Sequence, residues 1–228
     1  MIVPAMNPEE MLVDARKDMR ALLNRCKEPL RKLRKIHLRS DRRNVYEHML
    51  TWESPRGNNW LVVLAYNKHR PSVYMLVWYY DKKGRIAGLI CSASGGAMTI
   101  CSHVIDRYGE RYDPVVDPVQ RLKVFFAENP SFSVLLQNEK EVRTDIDREV
   151  HIGINNGLGF GVWKANSDIV HMRTFVDRTM LFKEQEGRVD ELDVMRMLQN
   201  MNPGQITEFS KFADKQIAKY EADKNKAA

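Results

Sequence analysis

The chain has 228 residues, 43% of them hydrophobic and 29% charged, enough for one large domain with a substantial core and short for two independent ones. No apolar run approaches the roughly 20 residues of a membrane helix, and MIVPAMNPEEM lacks the basic-then-apolar order of a secretory signal; we expect a soluble cytoplasmic protein without a membrane partner. The net charge of +6 points to an acidic partner and is concentrated: ten basic residues lie between Arg20 and Arg43 against Glu28 and Asp41, leaving the rest slightly acidic.

Asn7, Pro8, Glu9 and Glu10 form a helix start, with a capping side chain, a proline in the first turn and acids at the positive end of the dipole. Met11, Ala15, Met19, Leu22 and Leu23 recur at helical spacing; Pro29 then interrupts, and Leu30, Leu33 and Ile36 continue the stripe, so two basic amphipathic helices are expected. Arg31, Lys32, Arg34, Lys35, Arg39, Arg42 and Arg43 are the expected nucleic-acid-binding residues of this arm.

From Trp60 the pattern changes to strands: WLVVLAY, VYMLVWYY and, after a tight turn at Lys83 and Gly84, RIAGLIC, a meander over about 59 to 91. SASGG breaks it as a flexible turn without the Gly-Lys-Ser/Thr of a phosphate loop. Residues 102 to 112, opened by Ser102, and 117 to 128, opened by Asp117 and Pro118, have helical spacing. EVHIGI and LGFGVW then flank Asn156 and Gly157 as a hairpin, and DIVHMRTFV returns as a further strand. GLGFG lies inside that hairpin, so a bulge and close packing explain it better than a dinucleotide fingerprint.

Helices around 189 to 199 and 203 to 221 close the chain; Leu192, Met195, Leu198, Phe209 and Phe212 serve the core or a protein partner. The expected fold is α+β, an antiparallel sheet packed by helices, with helical N- and C-terminal extensions. It divides into a basic helical arm over 1–50, an α+β core over 51–182 and C-terminal helices over 183–228, within one structural domain. Three cysteines and six histidines lack close ligand spacing, so neither disulfide, metal nor cofactor is expected.

The stretch most suited to chemistry is SHVIDRYGERY. His103, Arg107 and Arg111 are successive i, i+4 neighbours with Glu110 beside them, while Val104, Ile105, Tyr108 and Tyr112 take the other side. The arginines bind phosphate oxygens in a fork and histidine moves a proton near neutral pH; the competing reading is a solvated face in which Glu110 pairs with an arginine.

A His-x-x-x-Arg-Tyr-x-x-Arg helix, a second helix and an antiparallel meander ending in a Thr-containing strand resemble the barnase, EndoU, colicin and RelE-like ribonuclease superfamily, over roughly residues 98 to 182. The matching residues are His103, Arg107, Tyr108, Arg111 and Thr174. The resemblance implies metal-independent RNA cleavage by the ribose 2′-hydroxyl. His103 is then general acid or base, Arg107 and Arg111 stabilise the phosphorane, and Thr174 bonds a phosphate oxygen or positions the histidine. It supplies no second acid-base group. In a regular strand His171 and Arg173 face one way and Thr174 the other, and the resemblance favours Thr174; His151 and His171 read as solvent-facing. The expected function is a ribonuclease-like protein cleaving or binding RNA. The alternatives are a non-catalytic nucleic-acid-binding or regulatory protein, or a protein-interaction module.

Overall fold

A computed structural model describes residues 1–39, 46–66, 71–92, 95–112, 117–138 and 145–199. The expected helix over 203–221, with Phe209 and Phe212, and the basic residues Arg42 and Arg43 lie outside these residues. Among the described residues no helix is long and apolar enough to cross a membrane.

The fold is α+β. Helix α1 (Pro8–Arg39) precedes strands β1 (Tyr46–Glu53), β2 (Asn59–Tyr66), β3 (Pro71–Tyr80), β4 (Ile86–Cys91) and β5 (Ala97–Ile100). Helices α2 (Ser102–Arg111) and α3 (Pro118–Glu128) follow, then β6 (Ser133–Leu136), β7 (Arg148–Ile154), β8 (Gly157–Trp163), β9 (Ile169–Asp177) and α4 (Lys183–Gln199). The strands form one nine-stranded sheet in the order β1-β2-β3-β4-β5-β9-β8-β7-β6. Neighbours are antiparallel except β5 and β9, whose parallel pairing from Ala97↔Ile169 to Ile100↔Met172 joins the two meanders.

Alternation along the strands sends side chains to two faces. On one, Val104, Ile105 and Tyr108 of α2 and Leu122, Phe125 and Phe126 of α3 pack with Leu61, Leu76, Met98, Ile152, Met172 and Phe175. On the other, α1 covers Trp60, Val62, Met75, Val77 and Leu89, while Val189 and Leu192 of α4 cover Leu158, with Phe160 partly buried beside them.

Helix α1 corrects the two-helix expectation, since it runs unbroken through Pro29. Proline in a helix interior costs about 3 kcal/mol, but Leu22 and Cys26 before it and Leu33 and His37 after it are all buried and hold the two halves on one line. A polar network fixes the N-terminal half. Asn58 Nδ2 donates to Asp14 at 3.1 Å and Asp18 at 2.7 Å, Trp60 Nε1 donates to Asp18 at 3.2 Å, and Arg56 pairs with Asp14. Burial pushes the Asp14 carboxyl upward, but bonds from the Met1 amino group, Asn58 and Arg56 overcome it and hold the group well below the usual carboxylate range.

Three strands escaped the sequence reading: β1, β5 and β6. Ser102 does not open α2 as its cap; Cys101 holds that place without a side-chain bond, and the Ser102 hydroxyl donates to Asp81 at 3.3 Å. Asp117 does cap α3, accepting from Val119 and Gln120. The β7–β8 loop is Asn155-Asn156, one position before the expected pair, and Gly157 already belongs to β8. A Cβ on Gly157 would stand 2.1 Å from the Val176 carbonyl oxygen, so this glycine serves close strand packing rather than a left-handed turn.

Candidate functional site

Two features carry charge suited to a ligand: the outward side of α1 and the region where β9 meets α2. On α1, Arg20, Arg25, Lys27, Arg31, Lys32, Arg34, Lys35 and Arg39 are all exposed. At 100° per residue, Arg20, Lys27, Arg31, Arg34 and Lys35 fall within about 100° of arc and span about 22 Å along the axis. This stripe points away from the buried Leu22, Cys26 and Leu33. Its packing explains its exposure: one side of the helix is committed chiefly to β1 and β2, and the cations occupy what remains. Glu28 pairs with Arg31 at 3.1 Å, and Arg25 lies outside the stripe with its guanidinium 5.4 Å from the Trp52 ring centre.

Helix α2 has the expected two-sided character. Val104, Ile105 and Tyr108 are buried while His103, Arg107 and Glu110 are exposed. Beyond Met172, β9 has no pairing with β5, and α2 runs beside it. The Cys101 thiol donates to the Arg173 carbonyl at 3.4 Å and Arg111 Nη1 donates to the Phe175 carbonyl at 3.3 Å. Arg111 is therefore an anchor as well as a cation: its guanidinium sits 5.3 Å from the Phe175 ring centre and its charge bears on Asp177. Burial, then a hydrogen bond and the charge from Asp177, raises the Tyr112 phenol, and the Tyr112 hydroxyl donates to the Asn156 carbonyl at 2.8 Å. Tyr112 is thus tied down, and exposed to a larger degree than its place on the apolar side of the wheel implies.

The expected alternation of His171, Arg173 and Thr174 fails. Phe160 pairs with Thr174 but the next residue, Gly161, pairs with Met172, so Arg173 is an extra residue in β9. Such a bulge reverses the alternation after it. Met172 and Phe175 both pack on the α2 side, and Thr174 shares the opposite face with its cross-strand partner Phe160. His171, whose partner is Val162, lies on that same opposite face. Thr174 is half-buried within the segment flanked by the two carbonyls that α2 holds; its hydroxyl has no hydrogen bond to His103, Arg107 or Arg111 among the described residues.

His171 is not a plain solvent-facing residue. Its Nδ1 and the Thr99 hydroxyl share a hydrogen bond of 2.8 Å across the parallel β5–β9 pair. It lines a cleft of about 700 Å³ with Glu9, Thr99, Cys101, Lys164 and Arg173. Burial, then the Lys164 charge, lowers its pKa below the ordinary 6.5 against smaller opposing effects of Glu9 and Asp147, favouring the neutral ring at neutral pH. Lys164 pairs with Asp147, whereas Arg173 is exposed. His151 is buried under α4 against the Phe160 ring, 5.4 Å between centres, and burial followed by the Arg188 charge lowers it as well. A second cavity, of about 710 Å³ beside Tyr74, Phe132 and Trp163, has Asp168 as its one charged group among the described lining residues.

Sequence reasoning missed Glu9, Thr99 and Lys164. The first read as a helix start, Thr99 lies in a four-residue strand behind a glycine break, and Lys164 follows a strand end; none carries a pattern linking it to His171. The polar pair Thr99 and His171 at matched positions of adjacent strands was the one usable signal, and it required the parallel pairing to be known.

Comparison with protein-family models, characterised proteins and solved structures finds no match.

Proposed function

We propose that this chain binds nucleic acid by laying a phosphate backbone along the α1 stripe, with RNA the polymer implied by the ribonuclease resemblance. The observation supporting this is the stripe itself, with Arg20, Lys27, Arg31, Arg34 and Lys35 on one side of a continuous helix and Glu28 the one acid paired to these five among the described residues. Neutralising phosphates with such a row releases counterions, so affinity falls steeply with salt and varies little with sequence. Fluorescence anisotropy of a labelled single strand across a salt series tests it; affinity independent of salt, or no binding at low salt, overturns it.

A second reading, metal-independent RNA cleavage by the α2 side chains, is favoured by one observation: α2 presents His103 and Arg107 on its exposed side, with Arg111 anchored at the Phe175 carbonyl of β9. In this reading His103 moves a proton and Arg107 and Arg111 neutralise the developing phosphorane charge, while Thr174, on the sheet face opposite α2, takes no part. Incubation of RNA with the protein in chelator, against a His103→Ala control, decides it. Cleavage that persists unchanged in the control removes His103 from the chemistry, and absence of cleavage leaves backbone binding alone.

A further inference from the structure

We propose that the cleft between the start of α1 and the bulged part of β9 binds a single ribonucleotide, with its phosphate at Arg173, Lys164 and the His171 imidazole and its sugar towards Glu9. This deepens the nucleic-acid reading but has its own carrier, for the cleft is separate from the α1 stripe.

The groups converge for different reasons. The parallel pairing of β5 with β9 brings Thr99 against His171, and their hydrogen bond at Nδ1 fixes the imidazole ring. That leaves Nε2 as the nitrogen without a protein partner among the described residues, on a ring that lines the cleft. Two residues on, Arg173 is the extra, unpaired residue of β9 and lines the same cleft as His171. Lys164, immediately after β8, adds a second cation, shared with Asp147.

Size and mixed charge narrow the ligand. A volume of about 700 Å³ exceeds what inorganic phosphate fills and suits a molecule of nucleotide size. Two cations and a donor-capable imidazole on one side match a phosphate, for which arginine offers a planar fork. Glu9 places a carboxylate in the same cleft, repelling a ligand that is anionic throughout but accepting hydrogen bonds from sugar hydroxyls. Pro8 and Val162 supply apolar wall. A nucleotide has this order of parts: an anion, a diol and a flat apolar ring.

The test uses the full chain, with histidine ring nitrogens followed by NMR while adenosine monophosphate, inorganic phosphate or a dinucleotide with one internal phosphodiester is added. The His171 Nε2 signal is expected to move and saturate with adenosine monophosphate or with the dinucleotide, the first marking a free nucleotide as ligand and the second a unit within a strand. Arg173→Gln, at an exposed position that leaves the core intact, is expected to weaken binding about tenfold or more, equivalent to about 1.4 kcal/mol. Replacing Arg31, Lys32, Arg34 and Lys35 with Gln should leave mononucleotide affinity unchanged, so loss of the stripe and loss of the cleft are separately visible. No His171 response to either nucleotide, unaltered affinity in Arg173→Gln, or inorganic phosphate binding as tightly as the nucleotides would each overturn the assignment.

Discussion

Replacing Arg31, Lys32, Arg34 and Lys35 together with glutamine removes three of the five stripe cations on α1 and one beside them, at the cost of a single exposed ion pair with Glu28. Glutamine has nearly the helix propensity of lysine and arginine, and all four positions are exposed, so stability should hold within about 0.5 kcal/mol per site. For a single strand, each neutralised phosphate contributes about 0.7 to the slope of log affinity against log salt, giving about −3.5 for five contacts and about −1.4 for the remaining two. Raising salt from about 50 to about 200 mM should then weaken the unaltered chain about 100-fold and the variant only about 7-fold. Anisotropy titrations at several salt concentrations, with circular dichroism confirming the helix, measure both slopes. Equal slopes would show that the phosphate contacts lie elsewhere and would refute the placement of the backbone on α1.

Three further outcomes concern the scaffold that presents these surfaces. Tyr108→Phe removes a buried hydroxyl that donates to Glu128 and accepts from Asn156 Nδ2 at 3.2 Å; unfolding by urea should show a loss of about 2 kcal/mol, and a change near zero would mean that the bond is not formed. Gly157→Ala forces a methyl group against the Val176 carbonyl and should cost about 2 to 4 kcal/mol in the same assay, whereas Gly187→Ala on α4, with open space around its Cβ, should gain about 0.5 to 1 kcal/mol. His171 and His151 have pKa values lowered mainly by burial. The unfolded chain therefore binds more protons than the folded one once pH drops below the unfolded value near 6.5, and stability declines as pH falls through the folded values. Urea midpoints at about pH 7.5 and about pH 5.5 should differ in that direction, with the difference reduced in His171→Gln; an unchanged difference in that variant would show that His171 does not contribute.

The α+β class, the hairpin of β7 and β8, the capped start of α3 and the division of α2 into a buried and an exposed side were legible in the sequence, because each rests on periodicity or turn chemistry within about ten residues. Helix α1 was legible as basic and amphipathic, but its continuity was not: Pro29 states a local preference for a break, and burial of Leu22, Cys26, Leu33 and His37 on a common sheet face outweighs it. The candidate cleft was hidden more deeply. Thr99 and His171 are 72 residues apart, and they meet because β5 pairs in parallel with β9. Thr174 lies on the same sheet face as His171 because β9 carries one residue more than β8 over the matching stretch. A periodic pattern determines which side chains share a face of one element; register between distant strands is set by the packing of both sheet faces at once, so only the tertiary structure decided which of the basic and proton-bearing residues became neighbours.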